Sequence, residues 1–252
     1  MVNFVGAGCG AADLITVRGK ALIEAADVII YAGSLVNPEL LGYAKEGCRI
    51  FNSAHMTLDE VIDVMAGAEA DGLMTVRLHT GDPSIYGAVR EQMDRLTELG
   101  IEYQICPGVS SFCGAAAALR AEYTLPEVSQ TVILTRMAGR TPVPDSESIE
   151  SLAAHHSTMV IFLSTGMLAE LSERLISGGY SPDTPAAIVY KASWPDEKVL
   201  RCKVSTLAET AEKNGIKKTA LVTAGDFLGD DYSLSKLYDP AFETEFRRAA
   251  GK

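Results

Sequence analysis

Leu78-His79-Thr80-Gly81-Asp82-Pro83-Ser84-Ile85-Tyr86-Gly87 decides how the rest of the chain is read. An apolar run over 73–78 stops at a turn of Gly81, Asp82 and Pro83, and helix-like spacing resumes at Tyr86. In α/β proteins, a buried strand that delivers a tight polar loop to the sheet edge is a common place for small molecules to bind. Gly81 lets a ligand approach the main chain closely, Pro83 fixes the turn, and Asp82 offers a carboxylate or a helix cap. Taken alone, the same residues also describe an ordinary strand-to-helix connection.

Outward from this loop, apolar runs alternate with helical spacing along nearly all of the 252 residues. Strands are expected at 2–6, 27–31, 48–51, 73–78 and 103–106, then at 131–136, 158–163, 186–190, 199–204 and 220–224. Helices are expected at 14–25, 57–70, 86–99 and 110–119, then at 146–154, 167–177, 206–213 and 240–249. Thr57-Leu58-Asp59-Glu60 and Thr206-Leu207-Ala208-Glu209 read as capping boxes. The stretch 120–130 contains Pro126 and has no period. The pattern predicts an α/β fold of two domains, 1–119 and 131–252, joined by a linker at 120–130. Two nearly adjacent strands at 186–190 and 199–204 predict a mixed second sheet, and a cleft between domains is the default ligand site.

Composition narrows the partners. The chain is 47% hydrophobic and 22% charged, with a net charge of −11. That balance disfavours a general nucleic-acid binder, although a local arginine cluster can still hold an anionic substrate. No apolar run is as long as a membrane span, and the N-terminus lacks the pattern of a signal peptide. The five cysteines, Cys9, Cys48, Cys106, Cys113 and Cys202, form no Cys-x-x-Cys pair. An odd, scattered set implies a reducing compartment and a cytoplasmic protein.

Several segments carry candidate chemistry. Gly6-Ala7-Gly8-Cys9-Gly10-Ala11 has the spacing of a dinucleotide fingerprint. The acidic residue that should close the second strand is missing, and Asp27 stands at the wrong end. A dinucleotide-dependent oxidoreductase is therefore kept only as an alternative. In Pro107-Gly108-Val109-Ser110-Ser111-Phe112 either serine can cap the following helix or bind a ligand. Neither lies in a nucleophile elbow. His55, His79, His155 and His156 have no metal-ligand spacing, so no metal is expected. His79 and His55 each lie beside a loop where they could face a ligand or simply be satisfied locally. Arg136 and Arg140, in a Gly/Pro-rich loop, fit either a carboxylate grip or a solvated basic surface.

Taken in order, these loops resemble the tetrapyrrole methylase family. The resemblance rests on Val5-Gly6-Ala7-Gly8 with Asp13-Leu14-Ile15-Thr16, on Thr80-Gly81-Asp82-Pro83, and on Pro107-Gly108-Val109-Ser110-Ser111. The segments 31–38, 53–60 and 136–144 narrow it to one branch that methylates a ring carbon. Many members carry Gly-Pro-Gly-Asp in the first loop; here Cys9, Gly10 and Ala11 replace the proline and acid. The resemblance implies a homodimer that binds S-adenosylmethionine in the interdomain cleft and methylates a tetrapyrrole. It implies cofactor contacts from Cys9, Gly81, Asp82, Pro83, Ile85, Ser110 and Ser111. By position it adds Leu163, Ala187, Thr219 and Ala220. Arg136 and Arg140 are expected to hold substrate carboxylates. Asp82, His79, His55 and Tyr86 are the candidates for any base. Another methylase of the same fold, such as diphthine synthase, or a non-catalytic tetrapyrrole binder would share many of these features.

Overall fold

The computed structural model describes residues 1–249 and divides the chain into two units. The first comprises 1–119 together with 190–198. Its elements are β1 (Val2–Gly6), α1 (Val17–Ala25), β2 (Val28–Tyr31), β3 (Arg49–Asn52), α2 (Leu58–Ala70), β4 (Thr75–His79), α3 (Arg90–Glu98), β5 (Tyr103–Cys106) and α4 (Ser111–Leu119). The strands lie in the order β3-β2-β4-β1-β5, and every pair is parallel. A parallel sheet is covered on both faces, which explains why its strands read as unbroken apolar runs. One face buries Val2, Phe4, Val28 and Ile30 with Ile62 and Met65 of α2 and Leu96 of α3. The other buries Val5, Ile29, Val76 and Leu78 with Ile23 of α1. Each such side chain contributes about 1.5–3 kcal/mol through burial. The capping box at α2 is formed: Thr57 Oγ1 accepts from the Glu60 amide, and Glu60 Oε2 accepts from the Thr57 amide at 2.6 Å.

The second unit comprises 120–189 and the chain from 199 onward. It holds β6 (Val132–Arg136), α5 (Ile149–Ala153), β7 (Thr158–Phe162), α6 (Leu168–Ser177), β8 (Pro185–Tyr190), β9 (Lys198–Lys203), α7 (Leu207–Lys213) and β10 (Ala220–Ala224). The sheet order is β6-β7-β10-β8-β9. β6 pairs with β7 in parallel and β10 with β7 antiparallel, so this sheet is mixed. Residues 120–130 group with this unit. The Tyr123 carbonyl accepts from Thr158 Oγ1 at 2.8 Å, and the Tyr123 ring meets Phe227 edge-on at 5.1 Å.

Four sequence expectations are corrected. The helix expected from Tyr86 begins at Arg90. Tyr86 and Ala88 sit at φ of 53° and 49°, because the chain folds back on Pro83 before the helix can start. The helix expected from 14 begins at Val17, capped by Thr16, whose Oγ1 accepts from the Gly19 amide at 3.0 Å. Thr206 does not cap α7; its hydroxyl bonds both the amide and the carbonyl of Lys203. Residues 240–249 are not helical. There, Arg247 takes the carbonyl oxygens of Leu237, Asp239 and Phe242, and this local bonding replaces the helical ladder. Among the described residues no helix is long and apolar enough to cross a membrane.

Candidate active site

β1 lies between β4 and β5, and the three strands run parallel. Their carboxyl ends therefore deliver three loops side by side: 6–11, 80–87 and 107–110. Past the parallel β1–β4 ladder, the first two loops are joined by an isolated antiparallel bridge between Gly8 and Gly81. Ala7 donates to the His79 carbonyl at 2.7 Å, and Gly8 and Gly81 exchange backbone bonds of 3.3 and 3.0 Å. A Cβ on Gly6 would lie 2.6 Å from the Gly108 backbone and from the Gly81 carbonyl oxygen. Contact this close leaves no room for a side chain, so the three main chains form one continuous polar surface.

Asp82 locks the second loop to the third. Its Oδ2 accepts from the Gly108 amide at 2.8 Å. Its Oδ1 accepts from the Ser84 amide at 2.9 Å and from the Ser84 hydroxyl. Burial raises its pKa, but these hydrogen bonds outweigh that and hold the carboxyl below the usual carboxylate range. A carboxylate with both oxygens engaged acts as a loop clamp and is poorly placed to accept a proton.

The structure gathers several expected cofactor residues. The Cβ position of Gly81 is 3.5 Å from Ser110 Cα and from the Ser111 amide nitrogen. The Ser110 carbonyl starts α4 by accepting from Cys113 and Gly114. Pro83 is buried and Ile85 half-buried in the same turn, where the Ile85 amide donates to the Asp82 carbonyl at 3.2 Å. Cys9 is buried against Gly114 of α4, whose Cβ position is 2.8 Å from the Cys9 sulfur.

The candidate bases separate. His79 is 4% exposed, stacks on Phe4 with ring centroids 6.2 Å apart, and its Nε2 has no hydrogen-bond partner. Burial first, and then the neighbouring Arg77 charge, push its pKa down to about 3. Arg77 is itself buried; it donates to Gln92 Oε1 at 3.0 Å and to the Ile30 carbonyl at 3.1 Å. Burial lowers the pKa of Arg77 to about 10, so it stays charged. The imidazole of His79 is neutral near neutral pH and belongs to the core. Tyr86 is exposed on the turn before α3. His55 is exposed at the end of a short 3-10 turn, next to Ala54, whose Cβ approaches Gly33.

In the second unit, Leu163 follows β7 and Thr219 precedes β10. The pairing of Val222 with Ile161 carries on to set Ala220 opposite Leu163. Arg136 lies beside Phe162 in the parallel pair, so Arg136, Leu163, Thr219 and Ala220 share one end of the sheet. Leu163 is 66% exposed, and both Leu163 and Thr219 hold positive φ, at 53° and 59°. Left-handed backbone at residues other than glycine clusters at functional sites. Ala187 is buried within β8. Arg136 spends its guanidinium on its own loop, donating to the carbonyls of Met137, Thr141 and Pro142 at 2.8–3.1 Å. Arg140 is exposed.

Sequence reasoning missed two supports of the first loop. The Asn37 amide donates to the Gly10 carbonyl at 3.0 Å, and Ser193 Oγ accepts from the Ala11 amide at 3.0 Å. Asn37 lies within the 31–38 segment, where its spacing gives no sign of a partner at Gly10. Ser193 is 182 positions from its partner, and its one visible signal is the neighbouring Trp194, the only tryptophan in the chain.

A parallel and a mixed five-stranded sheet, with glycine loops meeting at the carboxyl edge of the first, are the architecture of a tetrapyrrole methylase. Residues 1–208 match the family model for tetrapyrrole (corrin/porphyrin) methylases, and the chain belongs to that family. Among its relatives, the cobalt-precorrin-4 C(11)-methyltransferase of Methanocaldococcus jannaschii is 55% identical over 252 residues, covering 100% of this chain and 97% of that protein. The precorrin-4 C(11)-methyltransferase of a Sinorhizobium species is 48% identical over 248 residues, covering 98% of each. The X-ray structure of a cobalt precorrin-4 methyltransferase, described as a cobalamin biosynthetic enzyme, superposes with a TM-score of 0.89 at 45% identity. It covers 91% of this chain and 96% of that one.

Proposed function

We propose that this chain transfers the methyl group of S-adenosylmethionine to carbon 11 of precorrin-4, or of its cobalt complex, in cobalamin biosynthesis. The observation that carries this is end-to-end similarity to enzymes with that activity, at 55% and 48% identity. The residues present fit such a donor. Glycine backbone at 6, 81 and 108, with Ser110 and Ser111 beside it, makes a polar cradle that needs no metal.

S-adenosylmethionine supplies an activated methyl: as the new carbon–carbon bond forms, the sulfonium C–S bond breaks and its electron pair stays on sulfur. The protein's part is to bind and align, which accounts for much of the catalysis in such a displacement. The main chains at Gly81, Ser110 and Ser111, with Cys9, Pro83 and Ile85 around them, hold the donor. Asp82 fixes the loops that do so. The family resemblance assigns further contacts to Leu163, Ala187, Thr219 and Ala220. Arg140 holds substrate carboxylates, and Arg136 shapes the loop that presents it. Tyr86 and His55 are the exposed candidates for proton removal.

The domains divide after residue 119, and the protein is a homodimer. Support for a partner is the exposed apolar tail, where Leu234, Tyr238 and Phe246 lie open on a backbone ordered by Arg247. The scattered, free cysteines support a cytoplasmic location. The test is incubation with S-adenosylmethionine and, separately, precorrin-4 or cobalt-precorrin-4. Mass spectrometry is expected to show a gain of one methyl, placed at carbon 11 by NMR. Loss of S-adenosylmethionine without methylation of either substrate would refute the reading.

A further inference from the structure

The 190–198 segment is the turn between β8 and β9, yet it belongs to the first unit. There it closes over the first glycine loop. Ser193 Oγ accepts from the Ala11 amide at 3.0 Å and lies 3.6 Å from the Cys9 sulfur. A Cβ on Gly10 would lie 2.4 Å from the Ala192 carbonyl oxygen and from Trp194 Cδ1, and 2.6 Å from Ser193 Oγ. The loop is thus gripped on one side by Ser193 and Trp194, and on another by Asn37, which donates to the Gly10 carbonyl at 3.0 Å.

The turn is itself braced. Lys191 and Ser193 hold positive φ of 47° and 65° without being glycine. The Ser193 amide donates to Glu197 Oε2 at 2.6 Å, and Lys191 pairs with Asp196 at 2.6 Å while lying 5.3 Å from the Trp194 ring centroid. Left-handed backbone at residues other than glycine costs energy and persists only where the surroundings enforce it. Here the enforced shape aims the Ser193 hydroxyl at the loop.

We infer that the 190–198 turn is a latch that positions the first glycine loop for the methyl donor, with Ser193 as its positioning residue. It does by tertiary contact what a rigid proline at the Cys9 position would do locally. A loop held in its bound shape loses less entropy when ligand arrives. The latch therefore acts on donor affinity more than on the chemical step. This inference rests on the reading of the chain as an S-adenosylmethionine-dependent methyltransferase.

The experiment titrates S-adenosylhomocysteine into the full-length chain by calorimetry, for wild type, Ser193→Ala and Ser193→Gly, alongside thermal unfolding. Both variants remove the hydroxyl, and binding is expected to weaken about three- to tenfold, as for loss of one part-buried hydrogen bond. Ser193→Ala keeps the backbone strain and lowers Tm. Ser193→Gly relieves it and keeps Tm near that of wild type. In turnover assays KM for the donor rises while kcat changes less than about twofold, as expected when binding shared by ground and transition states is lost. Trp194 fluorescence, which reports on Gly10, is expected to change on ligand binding in wild type and to change less in the variants. Wild-type affinity in both variants overturns the latch, as does Ser193→Gly binding like wild type while only the less stable Ser193→Ala weakens. Failure of wild type to bind S-adenosylhomocysteine instead overturns the functional reading beneath it, and the latch's role falls with it.

Discussion

His79 gives the sharpest physical test. In the folded chain its imidazole is held neutral by burial and by Arg77, with its pKa pushed down to about 3 from an ordinary 6.5. In the unfolded chain it titrates near the ordinary value. Between these two values the unfolded state binds one more proton than the folded state, so stability rises with pH across the window and falls on acidification. The slope from this residue alone is about 1.4 kcal/mol per pH unit. By pH 4.5 the accumulated loss relative to pH 8 reaches about 2–3 kcal/mol. Urea unfolding of wild type and His79→Leu, measured from pH 8 to pH 4.5, isolates the effect. Other titrating groups cancel in the difference, so a change in overall stability from the new side chain does not matter; only the divergence in slope does. The wild-type curve is expected to fall below the variant's progressively from about pH 6. Parallel curves would refute the reasoning, because they would mean that folded His79 accepts a proton as readily as an exposed histidine. The same burial predicts that no inflection in kcat against pH traces to His79.

Three further outcomes follow from the loop geometry. Gly6→Ala forces a Cβ into the Gly108 and Gly81 main chains and is expected to cost about 1–3 kcal/mol as overpacking, with weaker S-adenosylhomocysteine binding; chemical denaturation and calorimetry measure both. Asp82→Ala frees the Gly108 and Ser84 donors, and is expected to destabilise the chain by about 1–2 kcal/mol and weaken S-adenosylhomocysteine binding; an unchanged calorimetric affinity would contradict the clamp. The two arginines should behave differently. Arg140→Ala is expected to raise the substrate KM with Tm unchanged, while Arg136→Ala, which frees three loop carbonyls, should lower Tm as well. If the double variant leaves the substrate KM untouched, neither residue holds the substrate.

Much of the fold was legible because local rules and tertiary context agree here. Parallel strands buried on both faces must be apolar throughout, so 2–6 and 73–78 announced themselves, and Thr57 with Glu60 marked the start of α2 by its capping chemistry. The reading failed where distant contacts overrule local spacing. The 86–89 stretch carries helical spacing, but Gly87 is pressed against the Pro83 carbonyl, and the helix waits for Arg90. Residues 240–249 carry it too, but Arg247 diverts the carbonyls. For the candidate site, glycine and proline signals located each loop without telling what its side chains do. Asp82 offered either a carboxylate or a helix cap and is a clamp between two loops. His79 read as a loop histidine and is a neutral core residue. Arg136 read as a substrate grip and holds its own loop.

The sequence by itself determined the α/β alternation, the order of the glycine loops and, through their resemblance, the family. These depend on short-range spacing and on residue types that few other conformations tolerate. Only the tertiary structure decided which groups meet. A parallel sheet orders its strands 3-2-4-1-5 rather than in sequence, so Gly6, Gly81 and Gly108 become neighbours across a hundred residues. Ser193 reaches Ala11 from 182 positions away. Bonds of that kind arise from packing of the whole chain, and no local pattern encodes them.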